Sequence, residues 1–103
     1  MKPIWTEQAI RGWKEVAAYI LRDFGRLGLK EFKQRTKDNE KFIANFPGGC
    51  EAAWADEETG VEYRRCQIYR RSIMLYFVQN GQVYIADFWD VRKESPVSEE
   101  NFG

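Results

Sequence analysis

Apolar residues recur every three or four positions near the start of the chain. The stripe runs from Ala9 to Phe24, and this spacing predicts an amphipathic helix. Thr6 stands where an N-cap would, and Glu7 suits the positive end of the helix dipole in the first turn. Gly25 follows the stripe and is the predicted C-cap. The pattern therefore predicts a first helix between Thr6 and Gly25.

A second helix is predicted over 29–45, and the short connection Arg26 to Gly28 would make the pair an antiparallel hairpin. Its apolar positions are interrupted by the charged stretch from Lys33 to Lys41, so we expect it to be more exposed than the first helix. Pro47 and the two glycines after it end the helix.

After Gly49 the period of the pattern changes, and the chain divides into short segments typical of strands separated by turns. Asn80-Gly81 lies between two apolar runs and predicts a type I′ hairpin turn. With the short apolar start at Ile4 and Trp5, the predicted strands are Ile4–Trp5, Cys50–Ala55, Val61–Tyr69, Ser72–Val78 and Val83–Trp89.

These elements give the order β-α-α-β-β-β-β in one α+β domain, and 103 residues are about the length of a single domain. Residues 94–103 are polar and contain a proline, so we expect a frayed tail there.

A two-residue turn at Asn80-Gly81 also predicts the register of the last hairpin. The expected pairs on one face are Val78 with Val83, Tyr76 with Ile85 and Met74 with Asp87. The expected pairs on the other face are Phe77 with Tyr84, Leu75 with Ala86 and Ile73 with Phe88. Both faces are apolar, and one helical hairpin covers only one side of a sheet. Either a partner covers the second face, or the tail or a curl of the sheet closes it.

Composition narrows the chemistry. The chain has no histidine, which excludes Ser-His-Asp and Cys-His nucleophiles and Cys/His zinc sites, and we expect no metal and no cofactor. Cys50 and Cys66 are expected to stay reduced, because disulfides belong mainly to smaller secreted domains. No apolar run is long enough to cross a membrane, and no signal peptide is visible, so the expected location is the cytoplasm.

The net charge is zero, but it is unevenly distributed. Residues 1–50 carry ten basic and six acidic side chains, and residues 51–103 carry six and ten. Neighbouring strands could bring Arg64, Arg70 and Arg92 into one patch that binds phosphate or carboxylate. The alternative is a set of solvated residues that protect a sheet edge. A paired-carboxylate site at Asp87 and Asp90 is disfavoured, because a strand sends these residues to opposite faces.

The ordered set of segments resembles the RelE/ParE superfamily of toxins from type II toxin–antitoxin systems, often labelled plasmid stabilization proteins. The resemblance spans roughly residues 4–96. Its segments are Ile4–Ala9, the first helix to Gly25, Asn45–Gly48, Glu62–Arg64, the hairpin from Ile73 to Val83, and Phe88–Arg92 followed by Pro96. It implies a helical hairpin packed on one side of a curved antiparallel sheet, and an antitoxin segment that wraps the toxin.

The family also implies two modes of action. RelE-like toxins cut messenger RNA in the ribosome with basic residues and a C-terminal tyrosine, whereas ParE-like toxins bind DNA gyrase and lack that set. Here Ile73 replaces the arginine of the RelE-like strand motif, while Tyr76 keeps its tyrosine. Arg92 matches the arginine after the last strand, but Ser98 stands near the place of the C-terminal tyrosine.

The resemblance therefore favours a ParE-like growth inhibitor that binds a protein target such as gyrase and is neutralised in a complex with its antitoxin. Zero net charge favours a protein target over ribosomal RNA. The alternatives are a RelE-like ribonuclease and a degenerate, non-toxic module that only binds antitoxin. The target-binding residues would be Arg64, Arg71, Trp89 and Arg92. The ribonuclease residues would be Arg64, Arg70 and Arg92, and the antitoxin-binding residues would be Met74, Tyr76, Val78 and Ile85.

Overall fold

A computed structural model describes residues 2–91 of the chain, and its fold is of the α+β class. The predicted tail and Arg92 lie outside the described residues. Each predicted strand is present, and no end moves by more than one residue. In chain order the elements are β1 (Ile4–Trp5), α1 (Glu7–Asn45), β2 (Glu51–Ala55), β3 (Glu62–Tyr69), β4 (Ser72–Gln79) and β5 (Gln82–Asp90).

The helical span α1 begins where the sequence predicts and is broken once. The Thr6 hydroxyl accepts a hydrogen bond from the amide of Ala9 at 3.1 Å, which is the predicted N-cap. At Gly25 the backbone leaves the helical region, with φ 73° and ψ −168°. The second limb starts directly after Gly25, so the prediction that it begins at Leu29 is wrong. A glycine at positive φ redirects the chain within one residue, and no separate loop is needed.

The two limbs of α1, residues 7–24 and 26–45, lie side by side. The indole Nε1 of Trp13 donates to the hydroxyl of Thr36 at 3.0 Å. The ring of Trp13 also stacks on Phe32, with the ring centroids 5.3 Å apart. Contacts across about 20 residues of helix require the chain to reverse direction at Gly25, as a helical hairpin does.

The five strands form one sheet in the order β1-β5-β4-β3-β2. Neighbouring strands are antiparallel except at one edge, where β1 runs parallel to β5 with Ile4 opposite Tyr84. The sheet is therefore mixed, which corrects the expectation of a purely antiparallel sheet. Parallel neighbours need a long connection, and the chain supplies one, because α1 and three strands lie between β1 and β5.

The β4–β5 hairpin has the predicted turn and half of the predicted register. Asn80 and Gly81 both have positive φ, 52° and 77°, as a type I′ turn requires. The pairs nearest the turn are as predicted, but the register shifts by one after Tyr76 and Ile85. Beyond the shift the pairs are Leu75 with Asp87, Met74 with Phe88 and Ile73 with Trp89.

The shift follows from the junction between β1 and α1. The Thr6 hydroxyl lies 3.0 Å from the carbonyl oxygens of both Ile85 and Ala86, and the Thr6 amide donates to Ile85 O. In a regular strand successive carbonyls point to opposite edges, so two that face one residue mark a bulge.

The core lies between α1 and one face of the sheet. First-limb and second-limb residues such as Val16, Ile20 and Phe32 pack against that face. Gly12 allows the first limb to approach β5 closely, because a Cβ there would lie 2.5 Å from Asp87 Oδ1 and 2.5 Å from the carbonyl of Phe88. Within residues 2–91, no helix is both long enough and apolar enough to cross a membrane.

Cys50 and Cys66 form a disulfide, with their Cα atoms 5.6 Å apart. The expectation that they stay reduced is therefore wrong for this structure. The cause is the register of β2 and β3: Glu51 pairs with Arg65, which places the residue before Glu51 opposite the residue after Arg65. A directly opposed pair lies within the Cα separation that a disulfide spans.

Candidate functional site

The end of the sheet at the β3–β4 turn combines positive charge with a cavity. Arg70 and Arg71 form a two-residue loop between Tyr69 and Ser72, and Arg70 adopts a positive φ of 53°. The hydroxyl of Ser72 accepts from the Tyr69 amide at 3.0 Å and donates to the Tyr69 carbonyl at 2.6 Å. These bonds stabilise the turn that carries both arginines.

A cavity of about 280 Å³ opens beside this turn, against the first limb of α1. The Arg70 guanidinium lies 4.1 Å from the ring centroid of Phe24, and its Nε donates to the Tyr69 hydroxyl at 3.1 Å. Arg70 is thus held by a cation–π contact and a hydrogen bond. Arg70 and Arg71 are both exposed at the rim, and of these two side chains only that of Arg71 has no hydrogen-bond, ion-pair or ring partner within residues 2–91, so it is the freer of the two cations.

The last residues of β5 lie at the same end. Asp90 is buried opposite Ser72, and half-buried Trp89 pairs with Ile73. The amide of Val91 donates to the carbonyl of Arg71 at 2.7 Å, which brings the end of β5 against the turn. The structure thus places Arg70, Arg71 and Trp89 at the same end of the sheet, with Arg70 against Phe24 and Trp89 across from Ile73, and we call these three the turn-end cluster. Arg92 follows in sequence but lies outside the described residues.

Arg64 is not part of the turn-end cluster. It lies six residues before Arg70 on β3, a separation of about 20 Å along a strand. Its guanidinium donates to the carbonyl of Cys50 at 2.8 Å and pairs with Glu62 at 2.7 Å. Arg64 therefore supports the connection from α1 to β2, and the predicted patch of Arg64 with Arg70 is wrong.

The hydroxyl of Tyr76 supports the same connection from the sheet side. It donates to the carbonyl of Pro47 at 2.6 Å and accepts from the amide of Cys50 at 3.4 Å. Burial raises the pKa of Tyr76 above its usual value, although the Cys50 amide and nearby Arg64 oppose that rise. Tyr76 consequently stays protonated and holds the linker as a hydrogen-bond donor.

Three of the four residues predicted to contact an antitoxin face α1. Met74, Tyr76 and Ile85 have no exposed surface, and all three belong to the core. Val78 is 40% exposed, and it is the member of the set that a partner could reach without displacing a helix. This corrects the expected docking face, because α1 covers the face of the sheet that was expected to bind a partner.

The outer face of the sheet carries a row of aromatic side chains that the sequence analysis did not identify. Trp54, Tyr63, Phe77 and Tyr84 are cross-strand neighbours on β2, β3, β4 and β5, with successive ring centroids 5.0, 5.3 and 5.2 Å apart. Each is half-buried. Ile4 on β1 continues the row beside Tyr84. We call these five residues, four aromatic residues and Ile4, the outer aromatic row. The strand registers place all five at one level across the sheet, so correct registers would have predicted the row.

The outer face is not open everywhere. Ile73 and Leu75, on the same side of β4 as Phe77, are 9% and 0% exposed. Two rings of the row, Phe77 and Tyr84, stack against each other at an interplanar angle of 16°. Stacked neighbours present their edges to solvent, so the row suits packing against apolar side chains better than stacking on nucleic-acid bases.

Asp87 is the most enclosed acidic group described. It has no exposed surface, and its Oδ1 accepts from the amide of Phe88 at 2.8 Å and from the Gln8 amide at 3.3 Å. Its Oδ2 has no hydrogen-bond partner. Burial raises the pKa of Asp87, and the two hydrogen bonds oppose that rise. The carboxyl faces the first limb instead of a cavity, so it is not placed to act on a substrate.

The described residues contain no group of three or more His, Cys, Asp or Glu that could hold a metal ion. The site that these observations define is a cationic sheet end beside a small cavity, on an α+β fold whose helices cover one face of the sheet. No protein-family model matches the chain, and no curated protein is similar enough to count as a relative.

Proposed function

We propose that the chain is a toxin-like protein of the RelE/ParE kind that inhibits growth by binding a protein target, such as DNA gyrase. In this proposal a cognate antitoxin neutralises it. The coarse fold supports the proposal, because an α+β chain with its helices on one side of a sheet is what the sequence resemblance implies.

The observation that favours binding over RNA cleavage is the separation of the arginines. Phosphodiester cleavage needs charged groups that converge on one phosphate. Arg64 lies about 20 Å along β3 from Arg70, and the guanidinium of each is already engaged within the protein. Exposed Arg71 and half-buried Trp89 are instead suited to a protein interface, where arginine and tryptophan are enriched.

The antitoxin would meet a different surface from the one the sequence suggests. Since α1 covers Met74, Tyr76 and Ile85, the outer aromatic row is the apolar sheet surface that a neutralising segment could cover.

Induced expression in bacteria tests the proposal. We expect growth arrest, and we expect the purified protein to inhibit DNA supercoiling by gyrase. The double variant Arg71→Ala/Trp89→Ala should lose both effects and keep its circular dichroism spectrum. Arg35→Ala, which removes an exposed arginine of the second limb, is the matched control and should keep both effects.

Two outcomes contradict the proposal. Cleavage of ribosome-bound messenger RNA with gyrase unaffected would support the ribonuclease alternative. Unimpaired growth at high expression would support a degenerate module that only binds antitoxin.

A further inference from the structure

A hollow of about 440 Å³ lies between the start of the chain and the second limb of α1. Lys2, Lys37 and Lys41 surround it, with Pro3 and Ala44 between them. All three lysines are exposed, and within residues 2–91 none has an ion-pair partner. We call this site the lysine hollow.

The one acidic residue at the lysine hollow does not balance its charge. Glu40 borders the hollow, and its Oε2 accepts a hydrogen bond from Trp5 Nε1 at 2.8 Å. That bond holds the carboxylate towards the sheet. Three positive charges thus face one negative charge, which leaves the hollow suited to an acidic group.

An exposed acidic segment lies elsewhere on the same molecule, in the turn between β2 and β3. Asp56 fixes this turn, because its Oδ1 accepts from the amides of Glu58 at 2.9 Å and Thr59 at 3.4 Å. Glu57 and Glu58 are exposed at its tip, and in the described part of the chain neither has an ion-pair partner. We call residues 56–58 the acidic turn.

Both sites lie at the same end of the sheet, at opposite edges. Tyr63, Tyr84 and Ile4 are at one level across the strands. Lys2 is two residues before Ile4, and the acidic turn precedes Tyr63 on the same side of that level. The edge strands β1 and β2 are four strand spacings apart, about 19 Å.

We propose that the acidic turn of one copy docks in the lysine hollow of a second copy, and that the reciprocal contact forms at the same time. A two-fold axis perpendicular to the sheet, beside the β4–β5 turn, exchanges the two sites and brings each turn to the other copy's lysines. Zero net charge means that two copies do not repel each other as a whole. Because the contacts are exposed ion pairs, the dimer is weak and salt-dependent.

Sedimentation velocity over a concentration series at low and at high salt tests the dimer. We expect concentration-dependent dimerisation at low salt and a loss of about ten-fold or more in association at high salt. The charge reversals Lys37→Glu/Lys41→Glu and Glu57→Lys/Glu58→Lys should each make the protein monomeric, because both contacts in either homodimer then repel.

Mixing the two reversed variants gives the sharper result. In the mixed dimer one contact keeps its original charges and the other has both signs reversed, so both contacts attract and the heterodimer should form. Lys30→Glu/Lys33→Glu makes the same change of net charge outside the hollow, and it should leave wild-type dimerisation intact. Circular dichroism checks that every variant is folded.

Three results would overturn the proposal. The first is a wild-type protein that stays monomeric at every concentration at low salt, and the second is equal loss of association in the control variant. The third is failure of the two reversed variants to associate with each other. A monomer whose Lys37 and Lys41 bind a polyglutamate peptide or a single-stranded RNA oligonucleotide would assign the hollow to another kind of partner.

Discussion

The helix-facing side of the sheet and its outer side use side chains of similar size, but their surroundings differ. On the helix-facing side, Tyr76 and Phe88 are enclosed by α1 and are at most 2% exposed. On the outer side, Phe77 and Tyr84 touch mainly other rings of the same row and remain half-buried. The comparison teaches that hydrophobicity alone does not identify the core. Both faces of the sheet are apolar, and the core forms on the face that the helices cover.

Replacing one ring on each face by alanine should show the largest difference in stability between the two faces. Phe88→Ala removes a buried ring that packs on Trp5 with centroids 5.0 Å apart, and we expect a loss of about 4 kcal/mol in the free energy of unfolding. Phe77→Ala removes a half-buried ring and should cost only about 1–2 kcal/mol. Denaturant titrations measure both.

If Phe88→Ala does not fold, the milder Phe88→Leu should show a loss of about 1.5 kcal/mol or less. Equal losses for Phe88→Ala and Phe77→Ala would mean that the outer face is as enclosed as the helix-facing side.

Removal of the disulfide tests how much a covalent link adds to the helix-facing side, since Cys66 belongs to the core. Cys50→Ser/Cys66→Ser opens a link across 16 residues, and the entropy of the unfolded chain predicts a loss of about 3 kcal/mol. Thermal unfolding with and without a reducing agent measures it. Reductant should lower the stability of the wild type and leave the double variant unchanged; an unchanged wild type would contradict the bridge.

Gly12 tests how closely the helix approaches the sheet. Replacing a helical glycine by alanine usually stabilises by up to about 1 kcal/mol. Here the new Cβ would meet Asp87 Oδ1 and the Phe88 carbonyl at 2.5 Å each, so we expect Gly12→Ala to lose about 2 kcal/mol instead. Gly48→Ala is the control, because nothing lies within 4 Å of a Cβ there. A stabilised Gly12→Ala would show that the first limb shifts away freely.

The smallest expected effect concerns Asp87, whose carboxyl is buried beside Gln8. Burial raises the pKa of Asp87 in the folded state above its ordinary value of 3.8, so the folded protein binds this proton more tightly than the unfolded chain. Stability from this group is therefore full below pH 3.8 and falls as the pH rises to the folded pKa.

Asp87→Asn removes that pH dependence and fills the place of the unpartnered Oδ2 with an amide. We expect a gain of about 1 kcal/mol at neutral pH and a flatter stability profile above pH 4. Free energies of unfolding of the wild type and of Asp87→Asn, measured across the acid range, test both expectations. A variant that is less stable than the wild type at pH 7 would mean that the ionised carboxylate is stabilised by its surroundings.

Local signals predicted the local structure well. Thr6 caps the first limb, Gly25 breaks the helix, and Asn80-Gly81 turns with both residues at positive φ. Each of these depends on the conformational preference of one or two residues, which the sequence displays directly.

Features that depend on distant partners were missed. The bulge on β5 is set by Thr6, about 80 residues away. The disulfide follows from the pairing of Glu51 with Arg65. A regular register extended from the turn at Asp56–Gly60 would place Cys50 opposite Gln67, and the register shift between Ala52 and Trp54 is what aligns the two cysteines. The helix-covered face could not be predicted, because Met74 and Leu75 are equally apolar and lie on opposite faces.

Gly25 determines the topology of the whole molecule. As one unbroken helix, the 39 residues of α1 would be about 58 Å long, whereas the longest dimension of the part of the chain that the structure describes is 40 Å. The φ and ψ angles of one residue thus separate a hairpin from a rod. A straightened α1 would carry its second limb away from its own sheet, and two such chains could exchange these limbs, so Gly25 is the hinge at which domain swapping would begin.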